Sequence, residues 1–270
     1  MTAFPDGALI RPGWPDLPAG VRALATTRRG GVSTGPYGDG EGGDGEGGDG
    51  EGGGGLNLGL HVGDDGAAVQ ANRARLQGLL PGRPAWIAQV HGADVVDAAA
   101  VREGGPVLQG DASIAHAPGV VSAILTADCL PVLFADLDGK AVGAAHAGWR
   151  GLAAGVLGKT VAAMRAAGAG EITAWLGPAI GPDAFEVGAD VLAAFEAALP
   201  GEAASAFRPY PGREGKYLAD IYLLARRMLA REGITRVHGG DRCTFHEATQ
   251  FYSYRRDGVS GRQASLIWLA

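Results

Sequence analysis

Cysteine, histidine and net charge outside one short segment are all scarce in this chain of 270 residues, and each shortage removes a class of function. The two cysteines, Cys129 and Cys243, stand far apart and outside any disulfide-framework spacing, which agrees with a reducing compartment. No CxxC or HxxxH spacing marks a familiar zinc module. No uninterrupted apolar run reaches the roughly 18 residues needed to span a bilayer, because the longest, around Val120, is broken by Asp128. The opening MTAFPDGALIRPGWPDLP has neither the basic nor the long apolar region of a signal peptide. A cytoplasmic protein with no membrane partner is expected. Basic residues form no stripe and do not interleave with aromatics, so nucleic acid is not an expected partner either.

Apolar material is plentiful, at 46% of residues, enough for a large core in one or two domains. One stretch contributes nothing to it. DGEGG is written three times from Asp39 and is followed by two further glycines, so residues 38–55 read as a flexible acidic insertion looped out of a single domain spanning 1–270. As a random coil that insertion would span about 23–25 Å. Its six acids (Asp39, Glu41, Asp44, Glu46, Asp49 and Glu51) equal the whole formal charge of -6, leaving 23 acids against 23 bases elsewhere. The body of the protein is therefore neutral.

The chemistry concentrates in TADCLPVLFADLDGKAVGAAHAGWRG, residues 126–151. Apolar runs at 130–135 and 140–145 flank Leu137-Asp138-Gly139, a hairpin signal. Closing that turn puts Leu130 or Pro131 opposite His146, so Cys129 and His146 fall within a residue or two of being cross-strand neighbours, with Cβ atoms roughly 4.5–8 Å apart. One thiolate and one imidazole at that separation can share a zinc ion at about 2.3 and 2.0 Å. His91, just past a strand-like run at 85–90, supplies the third ligand. Three N/S ligands leave a tetrahedral position for a water whose pKa falls to roughly 7. The alternative is a buried thiol beside a core histidine.

Around this trio stand further site residues. Asp128 abuts Cys129 and is a general-base candidate or an orienting partner of a ligand. Arg150 opens a helical pattern through Leu152, Val156, Leu157, Val161 and Met164, and with the neighbouring N–H groups could hold a substrate anion; pairing with a structural carboxylate is the other reading. Arg28 sits in a glycine-bearing loop that either reaches an anion or is a solvated turn. Asn57 and His61, in the stretch that resumes after the insertion, join Arg28 as substrate-binding candidates, although a turn histidine accounts for His61 equally well. Cys243, His116, His238 and His246 read as structural or exposed.

Strands are expected at 21–27, 120–125, 172–176 and 234–238, and helices from Asp64 or Asp65 to Pro81, over 189–199, and through Leu218, Ile221, Leu224 and Leu229. A closing hairpin is expected over 251–269. Strands and helices interleave irregularly with several hairpins, so the fold class is α+β.

Several motifs together resemble one family. QVHGADV around His91, DAS at Asp111, TADCLPVLF around Cys129, HAGWRG from His146, GPAIGP, FEVG at Glu186, YLADIY, GGDRCT, FYSYRRD and SLIWL are similar to those of the YfiH family, whose members were first labelled polyphenol oxidoreductase laccase domains. The resemblance runs from about Thr26 to Leu269 and departs at the DGEGG insertion, which lengthens one loop. It implies a layered α/β/β/α sandwich with mixed and antiparallel sheets, and a zinc site at His91, Cys129 and His146. It also implies phosphorolysis of adenosine, inosine and methylthioadenosine, with adenosine deamination, by a monomer or homodimer whose partners are purine nucleosides and phosphate. Some relatives are linked to editing of peptidoglycan precursors.

Deamination would follow from zinc-activated water attacking C6 of the purine, although the HxE and PCxxC signature of zinc deaminases is absent. The laccase label fails on counting, since blue and trinuclear copper centres need about ten histidines and the chain has six. Two other classes stay open: a cysteine hydrolase with Cys129 as nucleophile and His146 as base, and a non-catalytic zinc-stabilised binding protein with a closed four-ligand site.

Overall fold

Strand periodicity organises the molecule. In this computed structural model, which describes residues 4–40 and 54–270, two sheets stack face to face. The six-stranded sheet runs in the order Val237–Gly239, Ile172–Leu176, Leu130–Asp136, Val142–Ala147, Ala112–Ala115, Val95–Asp97. Its inner pairs are antiparallel and its two outermost pairs parallel. The five-stranded sheet runs Leu9–Ile10, Val21–Thr26, Gln263–Leu269, Val121–Thr126, Pro84–Ala85, with only the last pair parallel.

Alternate side chains of each strand point to opposite faces, and here both faces are covered. Ala25, Ile124, Ile267, Leu133, Ala144 and Trp175 meet between the sheets. Their sequence neighbours Leu24, Ala123, Leu125 and Leu266 pack on the outside of the five-stranded sheet, and Val132, Phe134 and Ala145 on the outside of the other. Strands buried on both faces read as continuous apolar runs, as 130–135 does. Each fully buried Leu or Phe contributes about 1.5–3 kcal/mol.

Helices supply the outer layers. α1 (Gly66–Gln77), capped by the Asp65 carboxylate accepting from Ala67 N–H, covers the five-stranded sheet with Leu76. The other sheet is covered by α2 (Trp149–Ala153), α3 (Val156–Ala166), α4 (Ala189–Ala198) and α5 (Ile221–Arg231), the last capped by Asp220. A short α6 (Tyr254–Asp257) follows. The result is the expected α+β layered sandwich. No helix among the described residues is long and apolar enough to cross a membrane.

Most of the acidic insertion, residues 41–53, lies outside the described residues. Its two ends meet: Gly54–Gly55 pairs antiparallel with Arg29–Gly31, and Gly55 is packed so tightly against the Tyr37 carbonyl that no side chain fits there.

Four local expectations are corrected. Residues 85–90 are not a strand, because beyond Ala85 only an isolated bridge from Ala88 to Gln109 forms. The N–H groups of Val90, His91 and Gly92 donate instead to one side chain, the Asp111 carboxylate. The helix expected from Leu152 to Met164 is two helices, since Gly155 adopts φ 84° between them. Leu218 belongs to a strand, Lys216–Ala219, ahead of α5. The closing hairpin is absent: Tyr252 N–H donates to the Gln263 side chain, and Gln263–Leu269 inserts between Val21–Thr26 and Val121–Thr126 in mid-sheet.

Candidate metal centre

The Leu130–Asp136 and Val142–Ala147 strands pair in a register that sets Pro131 opposite His146 and Leu130 opposite Ala147. Cys129, one residue before the ladder, therefore reaches the same end of the hairpin as His146. His91 arrives on its loop from the other side. Its Nε2 lies 3.9 Å from Cys129 Sγ, the His91 and His146 rings stand 4.8 Å apart at 70°, and the three potential ligand atoms all lie within 4.8 Å of one another. Tetrahedral zinc bonds of about 2.0 and 2.3 Å put N and S roughly 3.5 Å apart, so His91 and Cys129 stand within a few tenths of an ångström of that spacing, and side-chain rotations drawing the widest pair in by about an ångström close the site.

The partners of the trio fit a cation. Asp111, fully buried, takes the Nδ1 side of His146 at 2.8 Å and aims Nε2 toward the thiol. The same carboxylate accepts from His91 N–H at 2.8 Å and Gly92 N–H at 2.7 Å, fixing the loop that carries the other imidazole. A carboxylate behind a ligating histidine is the arrangement that sets tautomer and ring orientation at metal sites. Burial alone would raise the Asp111 carboxyl, but the hydrogen bonds from His146, Gly92 and Val90 hold it below the ordinary range.

Burial likewise works against a Cys129 thiolate, yet the charge and hydrogen bonds of His146 and His91 bring the thiol down to about 6. Burial opposes a charged His146 as well, and Cys129 and Asp111 outweigh it, pushing the imidazole up to about 9. Without metal these two groups form one ion pair that titrates as a unit. A metal cation held by the trio would take the place of that proton.

Space is reserved at the same point. A Cβ on Gly148 would stand 3.0 Å from Cys129 Sγ, 3.2 Å from His91 Cδ2 and 3.6 Å from His146 Nε2. His91, Cys129 and His146 are the only cluster of this kind among the described residues, and no fourth protein ligand joins them. The open side faces a solvent-accessible cleft walled by Trp149, Ile180, Phe185 and Tyr254 and carrying Arg150 and Arg255. A flat apolar body and an anionic end would both find partners there.

Other sequence-chosen residues divide. Arg150 lines the cleft, stacks on Trp149 at 4.4 Å, and pairs with no described carboxylate. α2 behind it has only five residues, so the long helix expected to reinforce an anion site is not there. Asp128 also lines the cleft, but Oδ1 accepts from Thr244 Oγ1 and Oδ2 from Arg255 N–H, each at 2.7 Å. Both oxygens are thus engaged in holding three chain segments together.

Arg28 is buried, donating to the carbonyls of Gly38 and Ala248 over the Tyr252 ring. Asn57 is fully buried, bonded to Asp64 and to the N–H groups of Gly59 and Arg262. Neither lines the cleft, and both brace the loops around it. His61 is exposed beside Arg73 and Arg262.

Sequence reasoning passed over Asp111, Tyr254 and Arg255. A ligating histidine needs an acceptor for its second nitrogen, and that requirement was the signal for Asp111. The Tyr254-Arg255 pair was hidden by reading its segment as a strand.

The family described as multi-copper polyphenol oxidoreductase laccase matches residues 22–270. The chain belongs to this family, the YfiH family. A Pseudomonas aeruginosa relative named purine nucleoside phosphorylase is 52% identical over 97% of this chain and 98% of its own length. The Escherichia coli protein named purine nucleoside phosphorylase YfiH is 49% identical over 97% and 98%. Among solved structures, a Neisseria meningitidis protein superposes with a TM-score of 0.85 at 48% identity, covering 97% of this chain and 99% of that one. YlmD from Geobacillus stearothermophilus gives 0.83 at 32%, covering 99% and 98%.

The multi-copper part of the family description finds no second ligand cluster among the described residues of this YfiH-family chain. Of its other histidines, His238 is bonded to Asp16 at 2.6 Å and His116 faces Asp97 at 3.6 Å, each away from the trio.

Proposed function

We propose that this protein is a zinc-dependent purine nucleoside phosphorylase, acting on adenosine, inosine and methylthioadenosine, with adenosine deamination as a second activity. The observation that carries the reading is a His-Cys-His set held behind a buried carboxylate and open on one side to an aromatic, arginine-bearing cleft. The names of relatives about half identical over nearly their full length point the same way. Zinc, when held by His91, Cys129 and His146, supplies a Lewis acid at the cleft wall.

The remaining work falls to the chain's own groups. Trp149, Phe185 and Tyr254 offer faces for the purine, and excluding water there strengthens the electrostatics of the charged groups. Arg150 and Arg255 hold positive charge at the mouth, where phosphate must enter. A phosphate oxygen attacks C1′ as the N9–C1′ bond breaks, giving free base and ribose 1-phosphate. Asp111 keeps His146 and the His91 loop in place throughout. Deamination exchanges the 6-amino group of adenosine for oxygen from water, releasing ammonia. The unpaired Cys129 and Cys243 suit the reducing cytoplasm.

The depressed thiol of Cys129 beside His146 favours a second reading, a cysteine hydrolase that needs no metal. Product analysis on adenosine, with and without phosphate and with protein of known metal content, decides. Adenine with ribose 1-phosphate indicates phosphorolysis, and inosine alone indicates deamination. Activity that survives chelators but not thiol alkylation belongs to the cysteine hydrolase.

A further inference from the structure

Three basic side chains gather beside the metal cleft with no acid among them, and residues 57–61 are their meeting point. On one flank Arg73 of α1 donates from Nε to the Leu58 carbonyl at 2.9 Å, with its guanidinium 4.5 Å above the Trp86 ring. On the other flank the stem of Arg262 presses on Gly59, where a Cβ would stand 2.8 Å from the arginine Cγ. Arg262 donates from Nη1 to the carbonyls of Ser260 and Gly261 at 2.8 and 2.9 Å. Its guanidinium stands 5.9 Å from the ring of Tyr254, a wall of the cleft. His61 is exposed two residues beyond Gly59.

Carbonyls and rings fix where these cations point while leaving hydrogen-bond donors over. Among the described residues, the Nη groups of Arg73 and Nη2 of Arg262 make no hydrogen bond, and none of the three side chains forms an ion pair. Some structural arginines elsewhere are matched by acids, Arg236 with Asp16 and Glu171 and Arg231 with Glu202, while Arg28 and Arg226 are, like these, held by carbonyls, but singly rather than gathered in a group. The unmatched group is held at a cost. Crowding by the surrounding chain first, then Arg262 and Arg73, keep His61 below its usual range although its ring still reaches solvent, and burial brings Arg73 down to about 10. Burial lowers Arg262 as well, against the opposing pull of Cys129 and Asp128, so its field reaches the metal end of the cleft. An anion seated between them would offset the repulsion among the three and favour their charged forms against burial.

We propose that Arg73, Arg262 and His61 form a binding site for a phosphate group beside the metal cleft. Two forked guanidinium groups and an imidazole N–H offer a tetrahedral dianion more donors, from more directions, than a carboxylate can use. The group comes either from inorganic phosphate, the nucleophile of the phosphorylase reading on which this proposal rests for that source, or from the 5′-phosphate of a bound nucleotide.

Calorimetric titration of the full-length, metal-loaded protein tests the site without turnover, using inorganic phosphate, adenosine 5′-monophosphate and adenosine as ligands. Arg262→Gln, Arg73→Gln and His61→Ala are each expected to weaken a phosphate-bearing ligand at least tenfold, with adenosine affinity and metal content unchanged. Arg236→Gln is expected to change nothing. His61→Ala guards against misfolding, since that side chain is exposed and makes no hydrogen bond among the described residues. Weakening of inorganic phosphate identifies the free anion as occupant; loss confined to the monophosphate's advantage over adenosine identifies a nucleotide. Unchanged affinity for both phosphate ligands in all three variants overturns the proposal. A parent protein that binds phosphate here but releases no ribose 1-phosphate retains the site and sinks the phosphorylase reading. A phosphorylase whose KM for phosphate ignores all three substitutions does the reverse.

Discussion

Two of the metal-facing side chains ride on a hairpin and the third on a loop, and they are held by different means. Cys129 and His146 take their places from a ladder in which each of six residue pairs contributes a small share. His91 sits at φ 61°, outside any strand, and its segment hangs on two side chains, the Asp111 carboxylate that accepts from three N–H groups and the Gln89 amide paired with the Leu125 backbone. Distributed support tolerates a lost contact, whereas concentrated support does not. Asp111→Asn is the largest break to make, because an amide cannot accept from three backbone N–H groups and also from His146. Metal affinity is expected to fall about 10–100-fold, as when supporting partners of metal ligands are lost. Each buried N–H left without an acceptor costs about 1–3 kcal/mol, so the melting temperature falls as well. Competition with a chromogenic chelator and a thermal melt give both numbers. Unchanged metal affinity would mean that the loop stands without Asp111.

Thiol reactivity sharpens the same contrast from the hairpin side. In metal-free protein Cys129 titrates near 6, held down by the two imidazoles against its burial. At pH 7 its thiolate fraction is then roughly 30 times that of an ordinary thiol of pKa about 8.5. Alkylation of Cys129, followed by mass spectrometry, is expected to climb from pH 5 to 7 and then level off. Bound metal suppresses it. The lowered thiol pKa stabilises the fold at higher pH and is lost as pH falls through about 6; the raised His146 pKa stabilises it at lower pH and is lost as pH rises through about 9. The metal-free melting temperature therefore peaks between those values, and a flat profile would show that the pair is not formed.

What the sequence disclosed follows the same division. The hairpin was legible because its evidence is local: two apolar runs, a Leu-Asp-Gly turn, and a count that places Pro131 opposite His146. The α+β class was legible because strands and helices interleave irregularly with hairpins between them, whereas the layering followed from the resemblance of the motifs to a known family. His91 could be named from its residue type but not its conformation, since Asp111 lies 20 positions away and a carboxylate that replaces a strand partner leaves no periodic trace. The last strand was misplaced for a related reason. Gln263 satisfies Tyr252 across 11 residues, and the strand's own partners lie far back in the chain. Arg28 and Asn57 looked like binding groups because charge and amides are visible in a sequence, while the carbonyls and N–H groups that engage them are not.

Gly148 tests how tightly hairpin and loop converge. Its backbone, at φ -57° and ψ 153°, suits any residue, so Gly148→Ala acts through crowding alone. The added methyl meets Cys129 Sγ and the His91 ring at 3.0 and 3.2 Å, while the fold elsewhere is untouched. Overpacking of this kind costs about 1–3 kcal/mol, read as roughly tenfold weaker metal binding with little change in the melt of the metal-free protein. An equal loss of stability in the metal-free protein would place the strain in the helix start rather than at the metal.

Asp128 joins the two kinds of support, because it precedes Cys129 on the hairpin while its carboxylate reaches into the loops of Thr244 and Arg255. Its φ of 82° is a conformation that Asn tolerates about as well as Asp, so Asp128→Asn keeps the backbone and removes only the charge and one acceptor. A general base lost in this way costs about 10²–10⁴ in rate and erases one limb of the pH profile. With both oxygens already engaged, the expected outcome is smaller: a few-fold rise in KM as the Tyr254-Arg255 wall loosens, with kcat and the pH limbs kept. A collapse of kcat would return Asp128 to the chemistry and show that its two hydrogen bonds open during the reaction.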